Sequence, residues 1–184
     1  MPTAPFAPGL GLTDGTIRIA NSNPDWPETY ERLASDLRAA LGDLAVAIEH
    51  VGSTSVPGLP AKPILDIAAG LAPGAPAEAV VAAITGLGYE DRGDKDDEGG
   101  RLFVLRSRPS YRIAHVHAVP HGDHRWDAYL AVRDRLREDA EARDAYGALK
   151  RRLAREHLND RPAYGEAKTG FVRSLLSAPP AGAE

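Results

Sequence analysis

The chain has 184 residues, 43% of them hydrophobic, but 31 of these are Ala, which leaves larger apolar side chains for one ordinary core and not two. A formal net charge of −4, with 26 acids among 22 bases, excludes the dense positive surface of a nucleic-acid coat protein. The absence of cysteine excludes disulfide frameworks, thiolate nucleophiles and cysteine-ligated zinc, and no apolar run approaches the roughly 20 residues of a membrane helix.

Residues 1–15 carry Pro2, Pro5 and Pro8 among several glycines and no signal-peptide pattern, so they read as a flexible leader. Thr16–Ala20 alternates and predicts a first strand. Asp25 and Glu28 have capping-box spacing, and behind them Tyr30, Leu33, Leu37 and Leu41 predict a helix stopped by Gly42. Leu44–Val51 predicts a strand that runs into Gly-Ser-Thr-Ser, and the apolar Pro63–Leu71 predicts a buried central strand. Pro76–Leu87 predicts a short helix. Asp91–Gly100 reads as an acidic connection, with Asp94–Glu98 a solvated turn, before a hairpin-like pair over Arg101–Ser107 and Arg112–Val119. From His124 the period turns helical, with one helix through Leu136, a second over Tyr146, Leu149 and Leu153, and a third begun by Asp160 and Pro162. Residues 177–184 read as a Pro/Ala tail. The expectation is one cytoplasmic domain over residues 16–176, strand-rich first and helical last. Tyr-Gly-Ala-Leu-Lys at 146–150 and Tyr-Gly-Glu-Ala-Lys at 164–168 echo each other, which chance explains in an Ala-rich helical region.

The stretch from Glu49 to Ile67 carries the chemistry. A strand that enters Gly52-Ser53-Thr54-Ser55 can present backbone N–H groups and hydroxyls to a phosphate, because glycine lets both the chain turn and the ligand approach. Lys62 follows, near enough to answer the phosphate's charge. Asp66 then projects from a buried strand, where a carboxylate needs a cation, a metal or donors. The plainer alternative is a Gly/Pro turn with Asp66 held structurally.

Glu49-His50-Val51-Gly52-Ser53-Thr54-Ser55-Val56-Pro57-Gly58-Leu59 with Lys62-Pro63-Ile64-Leu65-Asp66-Ile67 resembles the signature of the GrpB family, which also occurs as a C-terminal extension of some dephospho-CoA kinases. Pro24-Asp25-Trp26, Arg112, His115-Val116-His117, Arg133–Arg137, Tyr146 with Lys150, and Tyr164 with Lys168 continue the resemblance over about residues 16 to 176. It implies an α+β, nucleotidyltransferase-like fold: a mixed β-sheet with flanking helices and a helical C-terminal part. It also implies a Gly-Ser turn on nucleotide phosphates and an Asp-x-Asp strand holding two Mg²⁺ ions. Gly52, Ser53 and Asp66 occupy those places, but position 68 is alanine and the later strand offers His117 where a third acid would stand. Two divalent cations roughly 4 Å apart need several carboxylates to bridge them. The expectation is therefore one Mg²⁺ held by a nucleoside triphosphate and Asp66, or no metal.

Gly52, Ser53, Thr54, Ser55, Lys62, Arg112, Lys150 and Lys168 are thus the candidate ligand-binding residues, and Asp66, His117 and His50 the candidate catalytic ones. His50 stands two residues before the turn and could orient a substrate or simply pack in its strand. His115, His117, His121 and His124 lie within ten residues, a zinc or iron site or else a hydrogen-bonded strand pair with loop histidines. The basic residues are 18 Arg and four Lys, and Lys62, Lys150 and Lys168 all fall where the resemblance places Lys. They are candidates for one phosphate-facing surface. The expected partner is a phosphorylated small molecule, with neither nucleic acid nor membrane, and the oligomeric state is open. The expected activity is transfer of a nucleotidyl group to a small acceptor. The alternatives are a binding module that has lost its chemistry and a different enzyme that reuses the cleft for acid–base or ligase chemistry.

Overall fold

The computed structural model describes residues 6–94, 100–157 and 160–177. In chain order the elements are β1 (Leu12–Thr13), α1 (Trp26–Leu41), β2 (Ala45–Val51), β3 (Leu65–Leu71), α2 (Ala77–Gly86), β4 (Glu90–Asp94), β5 (Arg101–Arg108), β6 (Tyr111–Pro120), α3 (His124–Glu138), α4 (Ala140–Glu156) and α5 (Arg161–Ser177). The sheet order is β2-β3-β6-β5-β4, with β1 added beside the start of β6. Among the described residues only β3 and β6 run parallel, so the sheet is mixed, as expected of the α+β nucleotidyltransferase-like class.

The two sheet faces have separate occupants. Leu65, Ile67 and Ala69 of β3 and Ala114, Val116 and Ala118 of β6 join the main core beneath α1 and α2, with Leu33, Leu37, Leu41 and Ile84. The opposite face packs Val51, Ala68 and Val119 on Trp126 of α3. Gly70 permits that approach, since a Cβ there would stand 2.8 Å from the Trp126 ring. The C-terminal helices bury Leu136, Tyr146 and Leu175 against Val56 and Leu59, so they lock onto the loop between β2 and β3.

Several local expectations change. Residues 6–13 are not a loose leader: Ala7, Leu10 and Leu12 are buried, Leu12 pairs with Arg112, and the Gly11 N–H donates to Pro63 O at 2.6 Å. A Cβ at Gly11 would overlap the Tyr111 ring, which is why so glycine-rich a segment can lie there. Thr16–Ala20 makes one bridge, Ala20 to Ala61, and Ile17 instead packs on Leu153 and Tyr164. Asp25 sits in helical conformation without capping α1, while Asp123 and Asp139 do cap α3 and α4. The acidic connection lies partly outside the described residues (95–99), as does most of the expected tail (178–184).

Leu37 is fully buried beneath the sheet, whereas Val46 on the edge strand β2 is 56% exposed. Leu37→Ala is expected to lower unfolding free energy by about 2–5 kcal/mol, and Val46→Ala by at most about 0.5 kcal/mol. Urea titration of the two variants checks the contrast.

Candidate active site

Residues opposite one another in paired strands share a face, and two rows across the sheet place the site. One is Val51, Asp66 and His115; the next is Glu49, Ala68 and His117. Asp66 Oδ1 accepts from His115 Nδ1 at 3.1 Å and from His117 Nε2 at 3.3 Å. Tyr129 of α3 places its hydroxyl 3.4 Å from His117 Nδ1, behind the ring. Burial by itself would raise the Asp66 pKa, but the hydrogen bonds and charges of the two histidines outweigh it and hold the carboxyl far below the usual range. Its side chain stays one-third exposed, opening into a cleft.

Gly52 makes the turn next to that carboxylate. Its φ of 68° suits glycine, and a Cβ there would stand 2.8 Å from Asp66 Oδ2. The following residues divide. Ser53 and Thr54 line the cleft, and Ser53 Oγ accepts from Lys150 Nζ at 2.9 Å. Ser55 turns away from it: its hydroxyl donates to Gly52 O at 2.6 Å, and its carbonyl accepts from Arg137.

Four basic side chains face the same space. Lys62, Arg112, Lys150 and Lys168 all line the cleft with Ser53 and Asp66. Lys62 lies 3.9 Å above the Tyr164 ring and Lys150 4.5 Å above that of Tyr146. The two Tyr/Lys pairs of the sequence echo thus meet at one site, from α4 and α5. Lys150 is almost wholly buried and also donates to Pro60 O. Burial, with help from the Lys168 and Arg151 charges, brings its pKa down to about 6. Burial likewise lowers that of Lys168, while Asp66 opposes the shift. Arg112 reaches the cleft through an irregularity in β6. Leu105 pairs with Ala114 but Arg106 pairs with Arg112, so the extra residue, Ile113, shifts the alternation. Asp14 then holds Arg112 Nε at 2.6 Å.

His50 stands apart from these residues. It pairs with Ile67 on the opposite face, stacks on Tyr30 with centroids 4.5 Å apart, and meets Thr54 Oγ1 at 3.0 Å. Burial, reinforced by Arg137 and Arg133 against the pull of Asp66, lowers its pKa to about 4. It therefore supports the turn from behind. The four-histidine group also splits. His121 packs on Trp126, His124 is exposed at the start of α3, and Asp123 is engaged as the helix cap. The contributions of Tyr129 and Asp14 were hidden in the sequence, because each depends on a neighbour remote along the chain.

A mixed sheet that carries a Gly-Ser turn and an acid on the adjacent strand defines a protein of nucleotidyltransferase-like fold. The chain belongs to the GrpB family: residues 16–178 match the family described as GrpB protein. It is 37% identical over 150 residues to a UPF0157 protein of Pseudomonas aeruginosa, covering 80% of this chain and 61% of that protein, so it spans about three-fifths of that relative's length. A dephospho-CoA kinase of Mycolicibacterium paratuberculosis is 33% identical over 91 residues, 46% of this chain and 22% of the kinase. The crystal structure of conserved protein GrpB from Enterococcus faecalis superimposes with a TM-score of 0.74 and 30% identity, over 87% of this chain and 98% of that one. Cid1 poly(U) polymerase superimposes at 0.55 with 13% identity, over 81% of this chain and 49% of that one, a likeness of fold. Among the described residues no helix is long and apolar enough to cross a membrane.

Two outcomes follow from the site's own geometry. Gly52→Ala forces a left-handed alanine against Asp66 and is expected to cost about 1–3 kcal/mol in urea unfolding. Lys150 is neutral in the folded chain above about pH 6 but charged in the unfolded chain up to about 10.5. Between those limits the unfolded state binds the extra proton, so stability rises with pH. Lys150→Met is expected to flatten that rise, measured as urea midpoints at several pH values across the window.

Proposed function

We propose that the cleft binds the phosphate groups of a phosphorylated small molecule, a nucleoside triphosphate above all, and that the protein transfers the nucleotidyl group to a small acceptor. The observation that carries the reading is the convergence of Lys62, Lys150, Lys168 and Arg112 beside Ser53 and Asp66. A buried amine such as Lys150 is costly without an anion, and a phosphate at the cleft would restore its charge. The cavity measures about 180 Å³. That is below the roughly 300 Å³ at which ordinary small-molecule pockets begin, so it suits a charged head group whose remainder lies at the rim. The reaction class in this reading, which the fold likeness to a poly(U) polymerase supports, is attack of an acceptor hydroxyl on the α-phosphorus: the bond from that phosphorus to pyrophosphate breaks, and the hydroxyl proton passes to solvent. The reading places the protein in the cytoplasm, with the nucleotide pool.

The paired Mg²⁺ ions of that reaction class do not fit the residues present. Mg²⁺ takes oxygen ligands in near-octahedral order. Here Asp66 has Ala68 as its same-face neighbour and two imidazoles beside it, while Glu49 is engaged at 2.7 Å by Arg133. In this reading Mg²⁺ enters only as the counter-ion of the triphosphate. Ala68 also favours a second reading, in which the module binds the nucleotide without turnover.

Calorimetric titration with ATP, CTP, UTP and pyrophosphate tests the proposal. Lys62→Met and Lys168→Met are each expected to weaken binding about tenfold, roughly 1.4 kcal/mol. Absence of binding by every triphosphate and by pyrophosphate overturns it. Binding without pyrophosphate release in a screen of small hydroxyl and amine acceptors selects the second reading.

A further inference from the structure

Asp66 and His115 of the cleft and the neighbouring His117 bring three donor atoms together, all within 4.8 Å of one another. We propose that this trio is a binding site for one divalent first-row transition-metal ion of the zinc, cobalt or manganese kind, in place of the magnesium pair that the fold class uses. The inference concerns the same cleft as the phosphate reading but does not depend on it, because the site needs no nucleotide to form.

Donor spacing is the first support. Zinc bonds nitrogen and carboxylate oxygen at about 2.0–2.2 Å, so neighbouring ligands in tetrahedral or octahedral order stand roughly 2.9–3.5 Å apart. Asp66 Oδ1 stands 3.1 Å from His115 Nδ1 and 3.3 Å from His117 Nε2. Donor chemistry is the second. Two imidazoles and one carboxylate form a borderline set that suits Zn²⁺, Co²⁺, Mn²⁺ or Fe²⁺ and is poor for Mg²⁺.

The third support is the group behind the ligand. A metal-bound imidazole presents a lone pair inward and donates its other N–H outward, and an outer partner fixes that tautomer. Tyr129 Oη, 3.4 Å from His117 Nδ1, can accept that proton and leave Nε2 free for the ion. The same hydroxyl donates to Nδ1 when Nε2 instead carries its proton toward Asp66. The fourth support is rigidity. All three ligands come from adjacent strands in fixed register, Asp66 opposite His115 and Ala68 opposite His117, and Gly52 backs the free carboxylate oxygen. One carboxylate leaves a divalent ion with a net positive charge, and the cleft side stays open for water or an anionic ligand. Ala68 then has a reason: a second acid there is superfluous when His117 provides the further ligand.

The test uses the purified full chain, stripped with EDTA and titrated with Zn²⁺, Co²⁺ and Mg²⁺ in the absence of nucleotide. Zn²⁺ is expected to bind one to one, at least about 100-fold tighter than Mg²⁺, and Co²⁺ to give visible d–d absorption from a nitrogen-containing site. Asp66→Asn, His115→Gln and His117→Gln are each expected to abolish the Co²⁺ spectrum, while a His121→Gln/His124→Gln double variant keeps it. Lack of one-to-one Zn²⁺ binding by the unsubstituted chain overturns the proposal, as does binding no tighter than that of Mg²⁺. Binding that survives all three ligand substitutions, or fails with the double variant, overturns it as well. Should a substituted chain fail to fold, the competition between Zn²⁺ and Mg²⁺ on the unsubstituted protein still decides. Pyrophosphate titration of the stripped protein reports on the phosphate reading alone, so the two proposals fail separately.

Discussion

A carboxylate on the central strand of a sheet is held in place only when its surroundings supply donors, and the geometry around Asp66 follows from that requirement. The parallel register of β3 and β6 brings His115 and His117 to the same oxygen. Because the carboxylate fills the space beside the preceding turn, position 52 must be glycine. Next to Asp66 the strand is small, with Ala68 and Gly70, so that Trp126 can close over the sheet. The fold and the site are one packing problem here, not a scaffold with residues placed on top.

The helical last third completes the cleft instead of decorating it. α4 and α5 bring Lys150 and Lys168 over the loop between β2 and β3, and Tyr146 and Tyr164 lie under the amines of Lys150 and Lys62. Burial thus holds the Lys150 amine away from solvent, at a free-energy cost that an anion beside it would offset. Preorganisation of this kind spares the ligand the ordering of flexible lysines on binding. The packing of Leu136, Tyr146 and Leu175 on Val56 and Leu59 fixes where those amines stand.

Much of this was legible in the sequence because the signals were local. Helical spacing from Tyr30 to Leu41 and the apolar run ending at Leu71 each specify their element by periodicity alone. What escaped depends on pairing. The two-residue β1 has no period of its own and exists because Tyr111 and Arg112 offer an edge. His50 and Asp66 both flank the Gly-Ser turn in sequence, yet strand parity sends them to opposite faces, and only the register of β2 on β3 reveals it. The Tyr/Lys echo looked like chance because no local property distinguishes two helical turns that will converge from two that will not. Lysine scarcity was the better guide: Lys62, Lys150 and Lys168 do meet in one cleft.

The row beside Asp66 shows how few carboxylates the site face carries. Glu49, Ala68 and His117 stand side by side on the site face, one strand-pair step from Asp66. Glu49 is the acid nearest the alanine in that row, but Arg133 binds it at 2.7 Å and also reaches the His50 carbonyl, so its charge is used to hold α3 on β2. Recruiting Glu49 to a cation would release Arg133 and loosen the helix that carries Tyr129 and Trp126. With that carboxylate committed to structure and the central position an alanine, the negative charge on the cleft floor comes from Asp66. With one acid, two imidazoles and four basic side chains around it, the site lacks the carboxylates that two bare divalent ions would require.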